Sequence, residues 1–188
     1  LITSQSNKKI KVKKLEKTVL KIEKLNVWYP IKKGLLKRTV DYVKAIKNVS
    51  FNLNIGESIG VVGESGSGKT SLILAILRLI ESSGDIYFKN ININKLKSNQ
   101  ILNLRKEIQI VFQDPFSSLS PRMNVEEIIC EGLRVHYPNI SIENRITKLK
   151  NVLNKVGLNY SECIEKYPHE FSGGQRQRIA IARALILE

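Results

Sequence analysis

Over residues 19–29 apolar positions alternate loosely with polar ones (Leu20, Ile22, Leu25, Val27), which predicts a strand or one arm of a hairpin. Residues 30–38 read as a basic connection around Gly34, and residues 40–54 as a second extended stretch carrying Val43, Ala45, Ile46, Val49, Phe51 and Leu53. Gly56-Glu57 makes a turn. Residues 58–62 then form a short apolar run that leads straight into glycines, the pattern of a strand in a buried parallel sheet. Helical spacing runs through residues 69–80 until Ser82-Ser83-Gly84 interrupts it. A strand over 85–93, a short helix over 98–105 and a strand over 107–112 follow, the last ending at Gln113-Asp114-Pro115. Beyond that the pattern is mostly helical, with helices at 124–135, 142–156 and about 175–187. No internal repeat is visible.

Composition changes this picture little. A chain of 188 residues, 42% hydrophobic and 26% charged, can build one sizeable core of ordinary globular character. Its 31 basic against 17 acidic residues give a net charge of +14. Nucleic acid, anionic lipid and phosphate ligands all suit such a balance. The basic residues neither collect on one helix nor interleave with aromatics, so a solvated lysine-rich surface is the simpler reading, and no nucleic acid is expected.

Cys130 and Cys163 lie far apart with no ligand-type neighbour at metal-binding spacing, and read as two buried thiols in a reducing compartment. The most apolar stretch, residues 72–80, is short and holds Arg78, so it does not read as a membrane span. The chain opens on Leu1 with a polar, lysine-rich segment unlike a signal peptide. Residues 1–18 are expected to be a linker or tail, and the protein to be cytoplasmic, reaching a membrane only through partners.

Gly63-Glu64-Ser65-Gly66-Ser67-Gly68-Lys69-Thr70 fits the phosphate-loop pattern G-x-x-x-x-G-K-[ST]. The glycines let the backbone turn several N–H groups inward around a phosphate, and the helix that follows points its positive end at the same oxygens. Lys69 is expected to reach the outer phosphates and Thr70 to offer its hydroxyl to Mg²⁺. The motif points to nucleotide binding and names no reaction, because many activities share it.

A second glycine motif, Ser172-Gly173-Gly174-Gln175, opens the last predicted helix and is preceded by Phe171. Alone it also suits an ordinary helix start, with serine as the cap. In combination with the phosphate loop and Gln113, the chain from about residue 19 to 188 resembles the ATP-binding cassette family. Tyr29-Pro30 with the basic residues after it, Val111-Phe112-Gln113-Asp114-Pro115 and Gly132-Leu133-Arg134-Val135-His136 are similar to the oligopeptide and dipeptide uptake branch. Within that branch the text is most similar to the second half of fused two-cassette subunits linked to peptide and microcin import.

The resemblance implies an α/β fold: a RecA-like phosphate-loop core, an antiparallel β subdomain and a helical subdomain, incomplete at the C-terminus. The core would cover about 19–114, the helical subdomain about 115–171 and the signature helix 172–188. ATP and Mg²⁺ are the implied cofactors. The implied nucleotide contacts are Gly63, Glu64, Ser65, Gly66, Ser67, Gly68, Lys69, Thr70 and Ser71. Ser172, Gly173, Gly174 and Gln175 would meet the γ-phosphate held by an opposite cassette. Gln113 would contact Mg²⁺ and the attacking water, so Thr70 and Gln113 are the metal candidates. An aromatic stacks on adenine in this family; Tyr29 is the candidate, with Trp28 and Tyr42 as rivals. Implied partners are a second cassette (identical, different or fused upstream) and membrane permease subunits, docking near residues 116–123 on the cytoplasmic face of the membrane. His136 and His169 have no partner suggested by spacing and read as surface or packing residues.

The family continues past a position like Glu188 into an apolar strand that ends in the Asp and Glu that hold metal and polarise water. Residues 1–188 alone are therefore expected to bind nucleotide weakly, to expose an apolar strand edge and to hydrolyse ATP at background rates. Two other readings remain: a remnant of a split cassette gene, and a DNA-repair type ATPase. The latter carries a long coiled coil between the two motifs, where this chain has a compact helical stretch.

Overall fold

The computed structural model describes residues 17–34 and 38–188. Most of the expected linker, residues 1–16, and Leu35, Leu36 and Lys37 of the basic connection lie outside the described residues. The chain divides into two compact units that meet in sequence between Leu96 and Lys97.

The first unit is built on a four-stranded sheet in the order β2-β1-β3-β4. β1 (Thr18–Lys33) and β2 (Arg38–Asn54) form a long antiparallel ribbon, and β3 (Ser83–Phe88) pairs antiparallel with the other edge of β1. Register shifts between Ile22 and Val27 break strict alternation, with Lys24 at a φ of +50°. That break is why Ile22, Leu25 and Val27 all face inward despite their uneven spacing. Helix α1 (Lys69–Ile76) contacts both β1 and β2, burying Leu72, Ala75 and Ile76.

Several sequence expectations are corrected here. The expected connection at 30–38 is partly strand, because β1 runs on through Pro30 to Lys33 opposite Arg38 to Tyr42. The helix expected over 69–80 stops at Ile76, where Arg78 takes a positive φ of +52°. The single strand expected at 85–93 is a hairpin, β3 and β4 (Ile91–Asn92), turned by Lys89 and Asn90, both at positive φ.

The larger correction concerns the parallel sheet. Residues 58–62 form no strand: Ile59 and Val61 are exposed and Val62 is 92% exposed. The strand expected over 107–112 is absent too: Glu107 closes a helix, residues 108–112 form no strand, and Val111 and Phe112 are exposed. A parallel strand needs at least one strand beside it to pair with, and parallel sheets are covered on both faces. Among the described residues every ladder is antiparallel, so neither run has a partner.

The second unit is helical: α2 (Ser98–Glu107), α3 (Pro115–Ser118), α4 (Val125–His136), α5 (Ile142–Lys155), α6 (Tyr160–Cys163) and α7 (Gly173–Leu185). Amphipathic spacing on α4 and α5 buries Ile128, Ile129, Leu133, Leu149, Val152 and Leu153 against Ile179, Ala180 and Ala182 of α7. Asn124 and Glu127 form a reciprocal cap on α4, and Ser141 caps α5. α7 starts at Gly173, two residues before the expected point, and His136 is the last residue of α4 rather than following it.

Cys130 and Cys163 are both buried in this helical core and both free. Burial pushes the Cys130 thiol up to about 11. The fold therefore favours the protonated thiol more than the unfolded chain does. Stability is expected to hold below pH 9 and to fall between pH 9 and 11 as unfolding becomes coupled to proton release. Urea midpoints measured across that window on the parent and a Cys130→Ala variant check this; equal slopes would contradict it.

Candidate functional site

The phosphate loop occupies residues 63–70 of the first unit and ends on the N-terminus of α1. Gly66 and Gly68 take φ of +81° and +94°, left-handed values that glycine adopts without penalty. Gly68 has a second constraint, since a Cβ there would lie 2.4 Å from the Ala45 carbonyl oxygen of β2. The loop is thus seated directly on the strand backbone. Lys69 closes it from within: its ammonium donates to the carbonyls of Gly63 at 2.8 Å and Glu64 at 2.6 Å, with the Ser67 hydroxyl at 3.4 Å. The helix has no side-chain cap and no acidic residue in its first turn, so its first amides and positive end remain open to an anion.

The loop borders an open cleft of about 670 Å³ lined by Lys44, Lys47, Ile46, Phe51, Ile59, Val61, Gly68, Lys69 and Leu72. The cleft combines cationic and apolar walls. Thr70 is exposed beside Lys69, and the Tyr29 hydroxyl donates to Ser71 Oγ at 3.1 Å. Tyr29 therefore stands on the phosphate-loop face of the ribbon. Its neighbour Trp28 points to the other face, packing at 6.1 Å from Tyr42 with the Lys44 ammonium 4.8 Å from its ring. The three candidate aromatics are thus split between two faces, Tyr29 on the α1 side and Trp28 with Tyr42 opposite.

In the second unit Gln113 is exposed just before α3, whose cap is Asp114 accepting from the Phe116 amide at 2.8 Å. Hydrogen bonding by Ser117 and by the Phe116 amide holds the Asp114 carboxyl below its ordinary value. Ser172 caps α7 and accepts from the Gln175 amide, while the Gln175 side chain accepts from the Ser172 amide at 3.0 Å. Gly173 and Gly174 sit in the first turn, where the helix offers their amides no acceptor, and a Cβ at either would meet nothing within 4 Å. Burial and the nearby Lys106 push the His136 imidazole below its ordinary value.

No group of three or more His, Cys, Asp or Glu side chains gathers as a metal site among the described residues. The hard oxygen of the Thr70 hydroxyl suits magnesium as one ligand beside phosphate oxygens. Sequence reading placed Phe116 at the start of the docking segment but missed its stacking with Arg176, and missed Arg183, which donates to the Ser118 carbonyl. No local pattern flags such pairs, because their members lie some sixty residues apart.

Over residues 46–188 the chain matches the ABC transporter family. It is 55% identical over 171 residues to the uncharacterized ABC transporter ATP-binding protein YejF of Escherichia coli strain K12, covering 91% of this chain and 32% of that protein. It is 47% identical over 173 residues to the oligopeptide transport ATP-binding protein OppF of Haemophilus influenzae, covering 90% of this chain and 52% of that one. Among solved structures it is similar to a dimeric bacterial ABC transporter cassette, with a TM-score of 0.76 at 30% identity, covering 89% of this chain and 69% of that chain. The chain thus spans between a third and about half of the length of these two curated relatives. The mixed α/β class expected from the sequence agrees with this likeness. No described helix is long and apolar enough to cross a membrane.

Proposed function

Because this chain belongs to the ABC transporter family, we propose that it is the nucleotide-binding part of an energy-coupling cassette that drives uptake of peptides or peptide-like solutes. Relatives named for oligopeptide, peptidoglycan and glutathione import support that substrate class. ATP enters with its phosphates among the amides of residues 63–70. Lys69 then exchanges the Gly63 and Glu64 carbonyls for β- and γ-phosphate oxygens, and Tyr29 lies against adenine. A magnesium ion, when bound, would offset phosphate charge, with the Thr70 hydroxyl as a protein ligand. Nucleotide-driven movement passes to permease subunits at the cytoplasmic membrane face through residues 116–123, which follow Gln113.

A second cassette supplies the other wall of each nucleotide site through Ser172, Gly173, Gly174 and Gln175. The observation that carries this reading is the empty space at Gly173 and Gly174. The chain's own packing does not require glycine there, whereas close approach of an outside anion to two open amides does. A Gly173→Glu variant is therefore expected to fold and to bind MgATP as the parent does, yet to lose nucleotide-driven pairing. Light scattering of the full-length protein with and without MgATP measures this; undiminished pairing of the variant would reject the assignment.

A further inference from the structure

Of the three arginines on α7, Arg176 and Arg183 are spaced seven residues apart and so lie on one face of the helix. Both hold α3, the turn that follows Gln113. The Arg176 guanidinium lies 3.8 Å from the centre of the Phe116 ring. The same group donates from Nε to the Phe171 carbonyl at 2.9 Å and from Nη2 to the His169 carbonyl at 3.5 Å. Arg183 donates to the Ser118 carbonyl at 2.6 Å, fixing the other end of the same turn. Phe116 is 62% exposed, so one ring face rests on Arg176 while much of the ring remains open to a partner. Arg178, on the same helix, instead donates to the Gly157 carbonyl at 3.2 Å and does not touch α3.

A planar guanidinium can stack on a ring and bond two carbonyls at once, which a lysine ammonium cannot. We propose that Arg176 is a positioning residue that fastens the exposed Phe116 to the backbone just before Ser172, so that a partner pressing on Phe116 moves the amides of Gly173 and Gly174. The proposal rests on the nucleotide role assigned above to the Ser172 turn. It adds a mechanical link, inside one compact unit, between a partner-facing aromatic and a phosphate-facing helix start.

The test is amide hydrogen exchange of the full-length protein over segments 114–119 and 172–178, combined with MgATP titration. Arg176→Ala and Phe116→Leu should each raise exchange in both segments by about fivefold. Their combination should do no more than either alone, and Phe116→Trp, which restores a stacking ring, should match the parent. Arg178→Ala should leave segment 114–119 unchanged. All of these variants should keep parental MgATP affinity. If Phe116→Leu leaves exchange at 172–178 unaltered, the link does not exist. A Lys69→Ala control that still binds MgATP would instead reject the nucleotide reading, leaving the exchange result to be judged separately.

Discussion

Lys69→Ala is expected to weaken MgATP binding by about 100-fold, the loss of one or two charge-assisted hydrogen bonds to phosphate. The ammonium sits at the mouth of the loop and already spans the Gly63 and Glu64 carbonyls. Those two bonds hold the side chain in place before a ligand arrives, so little rotamer freedom is lost on exchange to phosphate oxygens. Truncation removes the only cation that the loop itself carries. Calorimetric titration of parent and variant measures the difference. Parental affinity in the variant would mean that the loop does not cradle phosphate at all.

The second large effect is expected at Gly68. A left-handed backbone at a φ of +94° strains any residue with a side chain, and here the added methyl would also overlap the Ala45 carbonyl. Relief requires the loop to lift off β2 or β2 to bend. Gly68→Ala should therefore cost about 3 kcal/mol in urea unfolding of the unit that holds the loop. It should also abolish measurable MgATP binding in whatever fraction stays folded. By contrast Gly66, also at positive φ, meets nothing within 4 Å and carries only the conformational penalty. Gly66→Ala provides the comparison: a loss equal to that of Gly68→Ala would place the cost in backbone conformation alone, contrary to the seating on β2.

The two glycine motifs were legible because their chemistry is local. Backbone conformation and helix starts depend on residues within one turn, so residues 63–70 could be picked out by spacing, and Ser172 to Gln175 read as a helix start that gained meaning beside that loop and Gln113. Amphipathic α4 and α5 were legible for a similar reason, with their caps Asn124 and Ser141 in place. The apolar run at 58–62, read as a parallel strand, and the strand expected over 107–112 were misread because strand pairing is a property of neighbours, which local pattern does not report. The β3–β4 hairpin was missed because β4 is two residues long and its turn uses Lys89-Asn90 rather than a glycine pair. Within the candidate site, the orientation of Tyr29 toward Ser71 depends on the shifted register of β1, which alternation in the sequence does not give.

The ribbon that places Tyr29 toward α1 and Trp28 away from it has a practical consequence. Trp28 is the only tryptophan in the chain, half in solvent, with a lysine charge close to its indole and its strand neighbour on the phosphate-loop side. The one indole of these 188 residues thus lies one residue from the proposed adenine contact. Indole emission from residues 1–188 is therefore a site-adjacent optical signal.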